Sequence, residues 1–188
     1  FLEPSALWEQ LDNKIDPAEG YRLLASCKAL LPFDLSRAVC FKAIVESALY
    51  KKIGIGSIAV RLRMGHIFNE DFERVMPIER FYLGGSYSLR GYEPDLAPPV
   101  NQLLCEGCRY PVPIGGRSMA LLNAEWRVPL SGVLQGVLFS DCGALESDRC
   151  AAIMPRSLLG DTGFGLRLKT PVGPLRFDIA WKWQKAQG

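Results

Sequence analysis

"ERFYLGGSYSLRGYEPD" (residues 79–95) places a Gly-Gly pair and an Arg-Gly-Tyr triplet in one stretch flanked by strand-like segments. From Gly84 to about Gly116 the chain shows little periodicity and many Gly and Pro residues. A connection of that length is uncommon in a compact domain and usually carries function or is disordered. The stretch raises the question of what an arginine set among glycines does inside an otherwise regular β-protein.

Working outward, the flanks alternate with a period of two. In "SIAVRLRMGHIF" (57–68), Ile58, Val60, Leu62 and Met64 share one face, and Arg61, Arg63 and Gly65 share the other. "LNAEWRVPL" (122–130) sets Leu122, Ala124, Trp126 and Val128 against Asn123, Glu125 and Arg127. "GFGLRLKTP" (163–171) and "PLRFDIAWKW" (174–183) repeat the pattern, joined by a turn built on Pro171, Gly173 and Pro174. These are strands with one apolar and one charged face. "YRLLASCKALL" (21–31) and "AVCFKAIVESALYKK" (38–52) also read as strands, whereas "SALWEQLDNKIDPAEG" (5–20) reads as a polar lead-in ending in a Pro/Gly turn.

Alternation of this kind suits a soluble sandwich, with its apolar face buried, or a membrane barrel, with its apolar face in lipid. Trp126, Trp181, Trp183 and Phe68 lie towards the strand ends on the apolar faces, as interfacial aromatic girdles do. The opposite faces carry Arg and Lys interspersed with Glu and Asp, which suits a wet lumen. No apolar run approaches the ~18 residues of a membrane helix, a limit that does not apply to barrel strands of about 9 to 11 residues.

Hydrophobic residues make up 48% and charged residues 22% of the 188, an ordinary balance for a folded chain. A net charge of +2 offers no electrostatic reason to invoke nucleic acid. The six cysteines are Cys27, Cys40, Cys105, Cys108, Cys142 and Cys150. "CEGC" (105–108) has the spacing of a metal knuckle, but no second pair or histidine follows at zinc-site distance, so a loop disulfide or free thiols are the stronger readings. The single histidine, His66, falls on an apolar face at a strand end, where a membrane boundary suits it better than a catalytic triad. "GGSYSLRG" lacks both the pattern and the strand-to-helix context of a phosphate loop.

Five segments, in order along nearly the whole chain, resemble the BamA/TamA outer-membrane assembly family. "RFYLGGSYSLRGYEP" (80–94) is similar to the family's lumen-loop motif, a Gly-Gly followed by [VIL]-R-G-[FY]. "LLNAEWRVPL" (121–130) and "VLFSDCGAL" (137–145) resemble its next two strands, and "GDTGFGLRLKTPVGPLRFDIAW" (160–181) its near-terminal hairpin. "DNKIDPAEGYRLLAS" (12–26) resembles the strand that opens the second half of the barrel.

The resemblance implies an all-β fold, the C-terminal half of a 16-stranded antiparallel transmembrane barrel. About seven of those strands are expected in this chain. Residues 1–188 are then a partial barrel domain, with residues 1–20 as lead-in and 84–116 as a loop folded into the lumen. Such proteins fold and insert barrel proteins, or secrete polypeptides, without ATP, and they are not enzymes. The implied setting is the bacterial outer membrane or an equivalent organelle membrane. The implied partners are outer-membrane lipid, unfolded or secreted client proteins, periplasmic POTRA modules of the same full-length chain, and accessory lipoproteins, with no cofactor, metal or nucleic acid. A final aromatic-ended strand is expected beyond "KWQKAQG". The competing readings are a two-partner secretion pore exporting a dedicated client and, from another class, a soluble β-sandwich binding module.

For the loop, Gly84, Gly85 and Gly91 permit backbone angles and close approaches that let it fold inward. A buried Arg90 needs acidic partners, since an unpaired guanidinium costs on the order of several kcal/mol. The resemblance supplies Glu125 and Asp141 for that role. Alternation independently sets Glu125 on the polar face, whereas Asp141 would share its face with Phe139. Tyr92 is expected to pack against the lumen wall.

Overall fold

In the computed structural model, residues 2–30, 40–69, 71–105, 108–146, 158–170 and 173–183 are described. Eight strands form one antiparallel sheet: β1 (Ser5–Leu11), β2 (Gly20–Leu30), β3 (Cys40–Ile53), β4 (Gly56–Phe68), then β7 (Ser118–Ser131), β8 (Leu134–Glu146), β9 (Leu159–Thr170) and β10 (Gly173–Lys182). Each pairs with its neighbour in that order. Between β4 and β7 runs a long connection holding two short 3-10 turns, Phe72–Arg74 and Pro77–Glu79, and a separate hairpin of β5 (Val100–Cys105) with β6 (Cys108–Pro113).

Alternation predicts about seven strands, and the sheet holds eight. The addition is β1, which corrects the reading of residues 1–20 as a polar lead-in. Its apolar residues are bunched at Ala6, Leu7 and Trp8 instead of alternating, and five of its seven side chains are exposed, so periodicity gives no signal. What makes it a strand is main-chain pairing with β2, from Ser5↔Ser26 to Leu11↔Gly20, with Glu9 set opposite Arg22. The loop read from Gly84 is also longer at its start, because the chain leaves the sheet at Phe68.

The two faces of the sheet differ as the alternation requires. Leu49, Leu62, Met64, Trp126, Leu138, Phe164, Leu166, Phe177, Ile179 and Trp181 point outward and are exposed. Among the described residues no second layer covers them, which removes the soluble sandwich, whose apolar face must be buried. An uncovered apolar belt of this extent needs lipid or a partner. On the inward face Ala48, Ala59, Ile67, Asn123, Phe139, Asp141, Asp161 and Arg167 are buried.

The loop covers Ile67, Asn123, Phe139, Asp141 and Asp161. The hydrophobic cluster joins Val75, Phe81, Leu83, Leu89, Tyr92 and Ala97 of the connection to Ile67, Met119, Leu121, Leu145 and Leu159 of the sheet. Gly65 makes room, since a Cβ there would stand 2.4 Å from the Phe81 ring. Main-chain bonds Phe81 N–H to Gly116 C=O (3.0 Å) and Ala97 N–H to Leu83 C=O (3.0 Å) tie the connection to itself. The core is therefore the contact between one loop and one face of the sheet.

Candidate functional site

The loop tip is built by local chemistry. Gly84 and Gly85 have φ of 116° and 91°, and a Cβ on Gly84 would stand 2.2 Å from the Glu93 carbonyl oxygen. Only glycine takes both that angle and that approach. The turn closes with Gly85 N–H donating to Tyr92 C=O (3.0 Å), Ser88 N–H to Gly85 C=O (3.0 Å) and Tyr92 N–H to Leu89 C=O (3.1 Å). Leu89 and Tyr92 are buried on either side of Arg90, and the Lys182 ammonium lies 4.6 Å above the Tyr92 ring.

Arg90 is thereby delivered to the inward face of β7 and β8. Its Nε and Nη2 donate to Asp141 Oδ2 and Oδ1, both at 2.7 Å, and its Nη1 donates to Glu125 Oε1 at 2.8 Å. This is the fork geometry that a planar guanidinium suits and an ammonium does not. Asp178 Oδ2 of β10 lies 3.6 Å from Nη1. The side chains of Arg90 and Asp141 are 4% and 0% exposed, so the charges compensate each other and not with bulk water. Burial pulls the Arg90 proton affinity down, but the hydrogen bond and charge of Asp141, backed by Glu125 and Asp178, outweigh it and hold the group above its ordinary value.

The shared face of Phe139 and Asp141 has a physical use. The Phe139 ring is buried beneath the guanidinium, 3.5 Å from Cζ to the ring centroid, a stacked cation–π contact. A second set of bonds fixes the carboxylates. Glu125 Oε1 accepts from Arg167 Nη2 (2.6 Å), and its Oε2 accepts from Arg127 Nε (3.0 Å). Asp141 Oδ1 also accepts from Asn123 Nδ2 (2.7 Å), whose other hydrogen bond goes to Ser88 C=O (2.8 Å). Arg61 reaches Asn123 Oδ1 and the Tyr87 carbonyl. A polar cavity of about 140 Å³ lies beside the tip, lined among others by Arg61, Tyr87, Glu125, Arg127 and Arg176.

The structure thus gathers Gly84, Gly85, Arg90, Gly91, Tyr92, Glu125 and Asp141 at one place. Sequence reasoning missed Asp161, which accepts the Gly91 N–H at 2.9 Å, and it did not assign Arg127 and Arg167 to Glu125. Both carried a signal: Arg127 shares the i, i+2 face of Glu125, and the alternation of β9 extended back from Arg167 sets Asp161 on the inward face, although it does not name a loop amide as its partner. Elsewhere, His66 is on the outward face with Nδ1 2.8 Å from Ser118 Oγ and its ring edge-on to Phe68. Cys27, Cys40 and Cys142 are free thiols. The side chains of Cys105 and Cys108, and the whole of Cys150, lie outside the described residues. Among the described residues no group of three or more His, Cys, Asp or Glu is placed to hold a metal ion.

Comparison with known proteins gives a consistent picture. The model of the Omp85 superfamily domain matches residues 1–188. Outer envelope protein 80, chloroplastic, of Arabidopsis thaliana is 31% identical over 159 residues, 79% of this chain and 19% of that protein. The outer membrane protein assembly factor BamA of Nitratidesulfovibrio vulgaris is 31% identical over 140 residues, 72% of this chain and 17% of that protein. The chain thus spans about a fifth of the length of these curated relatives. In fold it is similar to the crystal structure of BamA from Haemophilus ducreyi lacking POTRA domains 1–3, with a TM-score of 0.79 at 19% identity, over 98% of this chain and 39% of that one.

Proposed function

This chain belongs to the Omp85 superfamily, and from that we propose that it is the C-terminal barrel wall of an assembly factor in a bacterial outer membrane or an organelle outer envelope. The factor folds and inserts β-barrel proteins, or passes polypeptides through the membrane, without ATP. Its chemistry is non-covalent. A weakened seam between the first and last strands of the complete barrel offers main-chain N–H and C=O groups to an incoming strand, by strand addition. POTRA modules of the full-length chain and unfolded clients are the partners this role requires.

The observation that carries the reading is the seated arginine. A guanidinium buried at 2.7–2.8 Å from Asp141 and Glu125 pins the loop across the wall. By that contact the loop keeps the wall in a shape competent for client entry. The test uses the full-length protein in membranes. Arg90→Glu sets a buried carboxylate against Asp141 and Glu125, and breaking such a pair costs about 3–5 kcal/mol. Client-barrel insertion is expected to fall at least about tenfold and heat-modifiable gel mobility to weaken. Adding Glu125→Arg is expected to restore part of both. Normal insertion by the single variant would remove the proposed role.

A further inference from the structure

The third member of the Arg-Gly-Tyr motif's surroundings is a buried acid on β9. We infer that Asp161 is a positioning residue for the loop tip: it seats residue 91 through the main-chain N–H and is the reason that residue is glycine. This goes beyond the Arg90 pairing and stands whether or not that pairing serves client insertion.

Three observations carry it. Gly91 N–H donates to Asp161 Oδ2 at 2.9 Å, and Asp161 is 0% exposed. Gly91 is not among the glycines of positive φ, so its identity does not follow from backbone angle. It follows from space: a Cβ on residue 91 would stand 2.8 Å from Asp161 Cβ and 3.2 Å from its Cγ, and all three of its nearest atoms would belong to Asp161. Asp161 is also the cross-strand partner of Asp141, whose Oδ2 lies 3.4 Å from the Arg90 main-chain N. Two successive amides of the tip therefore meet two carboxylates set side by side on β8 and β9.

The consequence is mechanical. Arg90 ties the tip to Glu125 of β7 and Asp141 of β8, and lies near Asp178 of β10. The Gly91–Asp161 bond adds β9, the strand that links β8 to β10. One tip thus grips one acidic residue on each of four consecutive strands.

Trypsin reads the seat directly, because the Arg90–Gly91 bond is protected only while the tip is docked. The full-length protein in membranes would be digested under native conditions, and the rate of cleavage after Arg90 followed by mass spectrometry. Gly91→Ala should raise that rate at least about tenfold, the effect of forcing one Cβ into a filled space. The double variant Gly91→Ala/Asp161→Gly, which removes the clashing Cβ but also the acceptor carboxylate, should bring it back to about fivefold above wild type, the level of one lost hydrogen bond. Asp161→Ala should raise cleavage about fivefold, as expected for one lost hydrogen bond, whereas Asp161→Asn, which keeps an acceptor oxygen, should stay within about twofold. Cleavage of Asp161→Ala at the wild-type rate, or of the double variant as fast as Gly91→Ala, would overturn the inference. Heat-modifiable mobility reports whether each barrel forms; if Gly91→Ala does not form one, the Asp161→Ala and Asp161→Asn pair decides alone. Arg90→Glu is scored by client insertion, so the two readings can fail separately.

Discussion

Arg90 shows why burial, and not the number of ion pairs, decides which charges matter. Lys14 and Glu9 also form an ion pair, at 3.1 Å, but the Lys14 side chain is 82% exposed, and such pairs contribute at most about 1 kcal/mol. The Asp141 carboxylate is fully buried, and it takes two guanidinium bonds, one from the Asn123 amide and a longer one from the Arg90 main-chain N–H. Asp141→Leu leaves Arg90 with Glu125 as its close partner, and the expected loss is about 3–5 kcal/mol. Lys14→Met should cost less than about 1 kcal/mol. Urea unfolding of the full-length protein in vesicles, followed by tryptophan fluorescence, checks both. Equal midpoints for the two variants would show that the buried fork contributes no more than a surface pair.

At the scale of elements, β9 is shaped by what lies across it. Gly163 and Gly165 face inward, where a Cβ on Gly163 would meet the Phe139 ring at 2.5 Å and one on Gly165 would meet Asp178 Oδ1 at 2.0 Å and the Phe177 carbonyl oxygen at 2.6 Å. Glycine weakens a strand by itself, yet here it clears the floor on which Phe139 and Asp178 sit. Gly165→Val is therefore expected to push Asp178 aside and loosen the β9–β10 pairing. Hydrogen exchange should speed up across β10 while β2 and β3 keep their protection. Unchanged exchange in β10 would mean the strand absorbs the side chain without losing register.

The whole molecule places its apolar residues against the ordinary order of a soluble domain. Its core lies between the loop and the sheet, and its outward apolar face is left uncovered. In lipid that face is satisfied, and the cost of a charge on it depends on depth. Leu166→Arg, in the middle of β9, should cost about 2–4 kcal/mol, whereas Trp181→Arg, near the end of β10, should cost about 0–1 kcal/mol. The pair of folding free energies in bilayers tests the orientation of the sheet, and equal costs at the two positions would contradict a membrane-spanning wall. The same wall ends at β1 and β10, each with one side that no described strand pairs. Such edges are not tolerated in hydrocarbon, and the proposed role has them paired within a complete barrel.

By itself the sequence determined the class of the elements. A period of two along β4, β7, β9 and β10 sorts lipid-facing from inward residues without reference to any neighbour, because alternation is a property of a single extended chain. The same pattern placed Glu125 inward, and the order of motifs pointed to the family. Only the tertiary structure decided which charges meet. The contacts of Arg90 with Glu125 and Asp141 span 35 and 51 residues, and the Gly91–Asp161 bond spans 70, so each depends on how a long connection lays itself over strands far along the chain. It also made β1 a strand, since a segment without alternation still pairs through its main chain, which side-chain periodicity does not record. And it gave Gly91 its meaning: a glycine required by the space beside Asp161 is indistinguishable, in sequence, from one required by its backbone angle.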